Sequence, residues 1–331
     1  MIISKTPYRI SFFGGGTDYP DWYTKNGGKV ISTSIDKYCY ISCRNLPQFF
    51  EHKYRFVYSK IEHTKKINQI IHPAARAVLE EMKIDSGLEI HHDGDLPARS
   101  GLGSSSSFTV GMINVLTALQ GKRISKESLA KEAIRIEQDV IKENVGSQDQ
   151  IAVTYGGFNK IKFNTNGSFE VEQLIIPDDK YSSLQDHLVL FFTGISRFSS
   201  DIAGSIIEDL DLMEKKFKVI ETYVDKGLEI ITNKDKSILE FGDLLNEYWH
   251  IKKSLNKNIS NSTIDEIYAK AIKSGALGGK LLGSGGGGFF LFFIEPKNLK
   301  TLIKNLSPLV YVPIKFDKNG SRIVLYEPTG F

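Results

Sequence analysis

The sequence predicts an α+β protein of two domains, on three observations. Residues 1–13 and 28–44 are dominated by Ile, Val, Thr, Tyr and Phe and read as strands. From Ser199 to about Ser274 the texture changes to a helical one rich in Lys, Glu, Asp and Leu. The end of the chain returns to β, with Gly286–Ile294 and shorter stretches near 309–316 and 322–326. A length of 331 residues suits two domains at roughly 100–200 residues each. The change of texture puts the boundary near 180, giving units 1–180 and 181–331.

Taken in order, Gly14–Pro20 is a turn-forming break after the first strand. Ile67–Met82 predicts a helix and Leu88–His92 a short strand. A second break, Asp93–Ser107, is rich in glycine and serine. Phe108, Met112, Val115, Leu116 and Leu119 then recur at helical spacing up to Gly121. Ser125 is placed to cap a further helix with apolar residues Leu129, Ala133, Ile136 and Val140. Residues 143–150 read as a polar loop, and 151–163 and 169–175 as strands paired around Asn166-Gly167. His187–Phe192 predicts a buried strand, and 296–305 a helix near the end.

Composition narrows the function. With 41% hydrophobic and 24% charged residues the chain is globular, which excludes disorder, collagen and a coiled-coil rod. Lys+Arg 42 against Asp+Glu 39 gives a net +3, too balanced for nucleic-acid binding by bulk charge. MIISKTPYRISFF lacks the pattern of a secretory signal, and apolar runs such as Phe289–Ile294 fall far short of the ~20 residues of a membrane span. A cytoplasmic protein with no membrane partner is expected.

Cys39 and Cys43, four apart on a predicted strand, lie roughly 13 Å apart, beyond the ~7 Å that a disulfide admits. Free thiols in a reducing compartment follow. No HExxH or zinc spacing occurs among the histidines. Strand alternation turns His91 and His92 to opposite faces, one packed and one solvated. What stands out is 29 glycines, about 9% against a typical ~7%.

Four clusters carry chemistry. Pro97-Ala98-Arg99-Ser100-Gly101-Leu102-Gly103-Ser104-Ser105-Ser106-Ser107 opens directly into an amphipathic helix. Glycines let the backbone approach an anion, and the first helical N–H groups have no internal acceptor. With the helix dipole they make a phosphate site, where a serine hydroxyl also suits Mg²⁺. Serines there also serve as caps, but four in a row exceed that need. No GxxxxGK[ST] loop is present. Gly283–Gly288 matches GxGxxG, yet Phe289–Phe293 after it reads as a strand, where a dinucleotide fold requires a helix. A glycine run before a strand suggests a loop pressed against another backbone or a ligand.

Arg9 followed by Gly14-Gly15-Gly16-Thr17-Asp18-Tyr19 clears space beside a carboxylate and a hydroxyl, as a carbohydrate pocket needs; a tight turn alone leaves Asp18 and Arg9 without a role. Glu137, at the edge of a buried helical stripe, and Asp149, in the loop Gly146–Gln150, fit a magnesium ligand and a general base. Alone, that pair reads as solvated surface.

Three glycine motifs and two acids in this order resemble the small-molecule kinases of the galactokinase, homoserine kinase, mevalonate kinase and phosphomevalonate kinase (GHMP) superfamily. Arg9–Tyr19 is similar to its first motif, Pro97–Ser105 matches its PxxxGLGSS motif in full, and Lys280–Gly288 is similar to its third. The resemblance spans nearly the whole chain. It implies an N-terminal mixed β/α domain that binds the nucleotide, a ferredoxin-like C-terminal domain, an active site between them, and ATP and Mg²⁺ as cofactors. It further implies nucleotide binding by Pro97, Arg99, Ser100, Gly101, Leu102, Gly103, Ser104, Ser105 and Ser106, with Ser105 and Glu137 on Mg²⁺. Asp149 falls where the catalytic aspartate stands, with Arg9 beside it. Gly14, Gly15, Gly16, Thr17, Asp18, Arg197, Gly285 and Gly286 fall on the sugar side.

Galactokinases carry Gly-Glu-His before the sugar-binding segment; its Glu and His are missing here, which argues against galactose. Tyr8–Asp18 resembles the heptose 7-phosphate kinases of the superfamily. Those enzymes phosphorylate the anomeric hydroxyl of D-glycero-D-manno-heptose 7-phosphate on the way to nucleotide-activated heptose. Thr193–Arg197 is similar to a substrate-side segment, which places Arg197 for the sugar phosphate or, equally, for a surface ion pair. The same resemblance admits a fucose or uronic acid 1-kinase, a diphosphomevalonate decarboxylase and an inactive ligand sensor. Ser105, Glu137 and Asp149 together speak against the sensor. The partners implied are a sugar phosphate and ATP, without nucleic acid, and a homodimer is compatible.

Overall fold

Ile2–Phe13 (β1) and Gly28–Asn45 (β2) pair antiparallel over most of their length, with the short helix Pro20–Asn26 (α1) in the break between them. The computed structural model describes residues 1–98, 100–195, 203–205, 207 and 213–328. Tyr54–Val57 (β3) and Ile61–Thr64 (β4) form a hairpin. The helix expected over 67–82 begins late, as Pro73–Glu81 (α2) after a 3₁₀ turn at Ile67–Gln69. Pro73 fits only the first turn of a helix, and His72 caps it by accepting the Ala75 N–H at 3.2 Å. Leu88–Gly94 (β5), Ser104–Leu119 (α3) and Lys126–Arg135 (α4) follow, and the Ser125 hydroxyl accepts the Ser128 N–H as a cap at 3.0 Å. Beyond Arg135 the helix runs on as a π turn, Ile136–Val140.

The strand expected to start at 151 is corrected: Gln148–Tyr155 is a helix (α5), and the strand Phe158–Phe163 (β6) begins after Gly156 and Gly157, both at positive φ. Ile151, Ala152 and Val153 are buried, and α5 packs on α3 and α4. Tertiary packing outweighs the β preference of Ile and Val here. Phe169–Gln173 (β7) pairs with β6. Asp178–His187 (α6), Leu188–Phe192 (β8), Glu214–Thr232 (α7), Leu239–Lys253 (α8) and Ser262–Lys273 (α9) come next, then Ala276–Leu281 (β9), a strand not foreseen. Phe289–Ile294 (β10), Leu299–Leu306 (α10), Val310–Val312 (β11), Phe316–Asp317 (β12) and Arg322–Tyr326 (β13) complete the chain; the glycines expected to begin β10 form the turn before it.

The first sheet runs β13-β1-β2-β5-β3-β4, with β6 and β12 also on β2 and β7 outside β6. Besides β1, the 18-residue β2 pairs with three strands in turn, β6 along Gly28–Thr33, β12 at Ser34 and Ile35, and β5 along Cys39–Asn45. Cys39 and Cys43 on it are buried and free. The second sheet, β11-β8-β10-β9, is antiparallel throughout. Its central β10 is buried along its whole length, which accounts for an apolar run without alternation. β12 and β13 return to β2 and β1, so the strands within 316–326, placed in the expected unit 181–331, join the first sheet. The two sheets meet where Phe12 and Phe13, at the end of β1, pack edge-on against Phe241 at 5.4 and 5.2 Å, and Phe13 against Tyr248 at 5.3 Å.

Candidate active site

β1 carries the first functional residue inward. Its register with β2 slips between Pro7, which has no N–H, and Arg9. The Arg9 N–H donates to Leu102 O at 3.0 Å, and the Ser107 hydroxyl donates to Pro7 O at 3.0 Å, so the strand grips both ends of the phosphate loop. From the other side a Cβ on Gly101, where φ is +80°, would stand 2.5 Å from Leu282 O. Only glycine fits between these walls. The loop delivers the N-terminus of α3 to a cavity of about 850 Å³, with Ser104, Ser105 and Ser106 on its wall. The N–H groups of a first helical turn have no acceptor within the helix and suit an anion.

Arg9 is buried and grips Asp149 in a fork: Nε donates to Oδ1 at 2.7 Å and Nη2 to Oδ2 at 2.5 Å. Its Nη1 donates to Gly101 O at 2.7 Å, linking the carboxylate to the phosphate loop. Asp149 lies in the first turn of α5, not in a loop as expected. Asp18 faces the same cavity. Its Oδ1 accepts the Gly16 N–H at 2.8 Å and its Oδ2 the Gln148 N–H at 3.3 Å. Burial, and then the Asp149 charge, push its pKa up to about 6. A Cβ on Gly146 would come within 1.8 Å of Asp18 Oδ2, so Gly146 exists to let this carboxylate in.

Glu137 lies behind the serines, on the π turn, fully buried. Its Oε2 accepts from Ser106 Oγ at 3.0 Å and from Gln150 Nε2, while Oε1 has no hydrogen-bond partner among the described residues. Burial raises its pKa to about 7, against the opposing pull of Thr109, Gln150 and Ser106. Among the described residues no three His, Cys, Asp or Glu side chains gather as a metal cage. One orphaned carboxylate oxygen beside hydroxyls fits a hard cation that takes its other ligands from phosphates and water. The hydroxyl that meets Glu137 is that of Ser106, one place beyond Ser105, which is exposed on the cavity wall.

At one end of the cavity Tyr58, His72, His92 and Phe108 make a ring-lined wall, with His72 and His92 at 4.6 and 5.0 Å from Phe108. A flat heterocycle fits such a wall. His91, on the other face, bonds Glu89 at 2.9 Å, so both histidines are engaged where one packed and one solvated were expected. The other end is polar, with Ser11, Asp18, Gln148, Tyr248, Lys252 and Lys280. Ser11 Oγ and Gln148 Oε1 there are buried and have no hydrogen-bond partner among the described residues.

The structure thus brings Arg9, Gly15, Gly16, Asp18, Gly101, Gly103, the serines 104–106 and Asp149 to one cavity. Other expected residues stand behind it. Thr17 donates to Gly14 O at 2.8 Å and braces the turn, and a Cβ on Gly14 would meet Lys29 O at 2.0 Å. Gly286 donates to Ile259 O at 3.0 Å and Gly285 packs on the same backbone, so in the third motif Gly283 and Ser284 face the cavity instead. Leu102 is core, and Pro97 and Ser100 are not on the wall. Arg99 and Arg197 lie outside the described residues. Sequence reasoning missed Tyr248 and Lys252, which sit in an ordinary helical pattern, and gave Lys280 no role.

Two families match the chain: the GHMP kinases N terminal domain over residues 68–157 and the GHMP kinases C terminal domain over 230–307. The D-glycero-alpha-D-manno-heptose 7-phosphate kinase of Campylobacter jejuni is 31% identical, over 92% of this chain and 93% of its own length. A galactokinase of Pyrococcus furiosus is 25% identical over 91% of each. Among solved structures, a putative sugar kinase from Campylobacter jejuni aligns with a TM-score of 0.70 and 27% identity over 97% of each chain. A D-glycero-D-manno-heptose 1-phosphate kinase from Bacteroides thetaiotaomicron aligns at 0.79 over 98% of each; at 21% identity it speaks for the fold alone.

Proposed function

The chain belongs to the GHMP kinase family and is an ATP-dependent sugar kinase; from that premise we propose that it phosphorylates the C1 hydroxyl of D-glycero-D-manno-heptose 7-phosphate. The observation that carries the reading is the Arg9–Asp149 pair standing between the phosphate loop and Asp18 in one cavity. The likeness to a heptose 7-phosphate kinase supports the choice of sugar. In this reading the nucleotide phosphates lie at the N-terminus of α3 and the base at the ring-lined end. Asp18 accepts sugar hydroxyls, with Ser11 Oγ and Gln148 Oε1 offering further bonds.

Asp149, oriented by Arg9, takes the proton of the C1 hydroxyl as that oxygen bonds to the γ-phosphorus. The bond to ADP breaks, and its electron pair leaves on ADP. Positioning and charge stabilisation supply the rate, since little covalent chemistry is asked of the protein. Glu137, with the hydroxyls of Ser105 and Ser106, would hold Mg²⁺, which would supply positive charge against the negative charge of the nucleotide phosphates. The product would feed nucleotide-activated heptose synthesis in the cytoplasm, a setting that two buried free cysteines support.

The test is coupled ADP release over heptose 7-phosphate, unphosphorylated heptose, galactose, fucose, a uronic acid and mevalonate. A kcat/KM for heptose 7-phosphate about 100-fold above the others is expected, with phosphorus coupled to C1 in the product NMR spectrum. Preference for an unphosphorylated sugar overturns the proposed substrate and leaves another sugar-1-kinase.

A further inference from the structure

Lys252, near the end of α8, is a charge that the scheme above leaves unused. It is 9% exposed and lies on the cavity wall, and its ammonium donates to Leu281 O at 2.7 Å and Gly283 O at 2.6 Å. An ammonium has three donors, so one remains for the cavity. Among the described residues no carboxylate pairs with it. Burial, and then the nearby Arg9 charge, push its pKa down to about 7. A cation buried among cations is a poor way to hold a helix in place; an apolar residue of the same volume would serve stability better.

Position says what it faces. Gly283, whose carbonyl holds Lys252, is pressed on the phosphate loop: a Cβ there would stand 2.7 Å from Gly101 Cα. Arg9 holds Gly101 from the opposite side. Lys280, by contrast, is anchored to Ser11 O and Phe12 O with its ammonium over the Tyr248 ring, at the base of the polar end.

We propose that Lys252 is a further catalytic residue, donating across the cleft to a non-bridging oxygen of the phosphoryl group in transit, opposite the N-terminus of α3. The proposal rests on the kinase reading above. As the acceptor oxygen bonds to phosphorus and the bond to ADP breaks, charge gathers on those oxygens, and a cation fixed in a dry wall stabilises it. A carboxylate partner would neutralise the cation beforehand, which fits its anchoring, among the described residues, by carbonyls alone.

The full-length Lys252→Cys variant tests this, alkylated with 2-bromoethylamine to rebuild an ammonium or with iodoacetamide to add neutral bulk. Cys39 and Cys43 are buried, and alkylated wild type controls for them. We expect kcat of the untreated variant to fall about 100-fold, with dissociation constants for ATP and sugar phosphate within about threefold of wild type. Aminoethylation recovers at least about tenfold and the neutral reagent does not. A kcat near wild type, equal recovery with both reagents, or a loss confined to sugar-phosphate affinity overturns the role. If the cysteine variant fails to fold, Lys252→Met carries the same comparison of kcat with affinity. Slow ATP hydrolysis, which needs no sugar, is measured in parallel: wild type inactive on every sugar sinks the parent reading, while Lys252 stands or falls on the hydrolysis rate.

Discussion

Asp149 and Asp18 share a cavity but not an environment, and the difference suits them to the separate tasks proposed for them. Asp149 is gripped by Arg9 in a two-bond fork, a geometry that fixes an acceptor in line with a reacting hydroxyl. Asp149→Asn keeps the shape and removes the proposed base: kcat is expected to fall about 10³-fold, while ATP affinity by calorimetry stays within about threefold. Unchanged turnover would remove Asp149 from this role. Asp18 is different, because its pKa of about 6 lies above the usual 3.8. The folded protein therefore keeps that proton longer than the unfolded chain, and Asp18 costs stability as pH rises from 4 to 6. Its ionised form, the proposed acceptor of sugar hydroxyls, appears as pH passes 6. Sugar KM accordingly falls between pH 5 and 7, and Asp18→Asn abolishes that dependence at a uniformly high KM; an unaltered profile in the variant would refute the assignment. Asp18 was singled out in the sequence because it follows the run Gly14–Gly16, which a tight turn alone does not explain, whereas Asp149 and Arg9 were placed at the catalytic centre only by the resemblance to the kinase superfamily. Lys252 was not singled out, since His250-Ile251-Lys252-Lys253 reads as the basic last turn of a helix.

At the scale of elements, the π turn after α4 determines where Glu137 points. A regular helix leaves that residue at the edge of the stripe, as the periodicity suggests; the wider turn buries it under Ser106. With a pKa of about 7, a proton on Glu137 would compete below neutrality with the Mg²⁺ proposed to bind there. The Mg²⁺ concentration for half-maximal ADP release therefore falls about tenfold per pH unit between 5.5 and 6.5 and levels off above 7.5. A flat response would separate Glu137 from the metal. The sign for stability is opposite: an ionised buried Glu137 is a cost that grows as pH rises from 4.5 to 7. Glu137→Gln hence melts at a higher temperature than wild type at pH 8 while losing its response to Mg²⁺. Strands and helices with clean periodicity, such as β1, β2 and α3, were readable from sequence. α5 was not, because its Ile151-Ala152-Val153 core is β-like locally and helical only through its burial on α3 and α4. That one element moves Asp149 from a loop to a helix turn and sets Gly146 against Asp18. Gly146→Ala puts a methyl on the Asp18 carboxylate, so sugar KM rises at least tenfold with ATP binding kept, by calorimetry on the same sample.

For the whole molecule, the two sheets do not behave as beads on a string. β12 and β13 leave the second half of the chain to pair with β2 and β1, Lys280 donates to the carbonyls of Ser11 and Phe12, and Phe12 and Phe13 pack on Phe241 and Tyr248. The sequence offers no sign of this return, because a strand carries no mark of which distant edge it joins. The cavity sits on that seam, so ligand binding and folding of both halves share the same contacts. Two tryptophans report on the two sides. Trp22 on α1 packs against Phe217 at 5.0 Å, and Trp249 on α8 is buried against Phe290 of the second sheet. Trp22→Phe leaves the fluorescence of Trp249 and Trp249→Phe leaves that of Trp22. In urea the change read from each variant coincides with its own loss of far-UV circular dichroism, in one transition. If the Trp249 signal moved ahead of the helix signal, with a separate plateau between them, the halves would be independent and the seam would be a docking contact rather than a shared core.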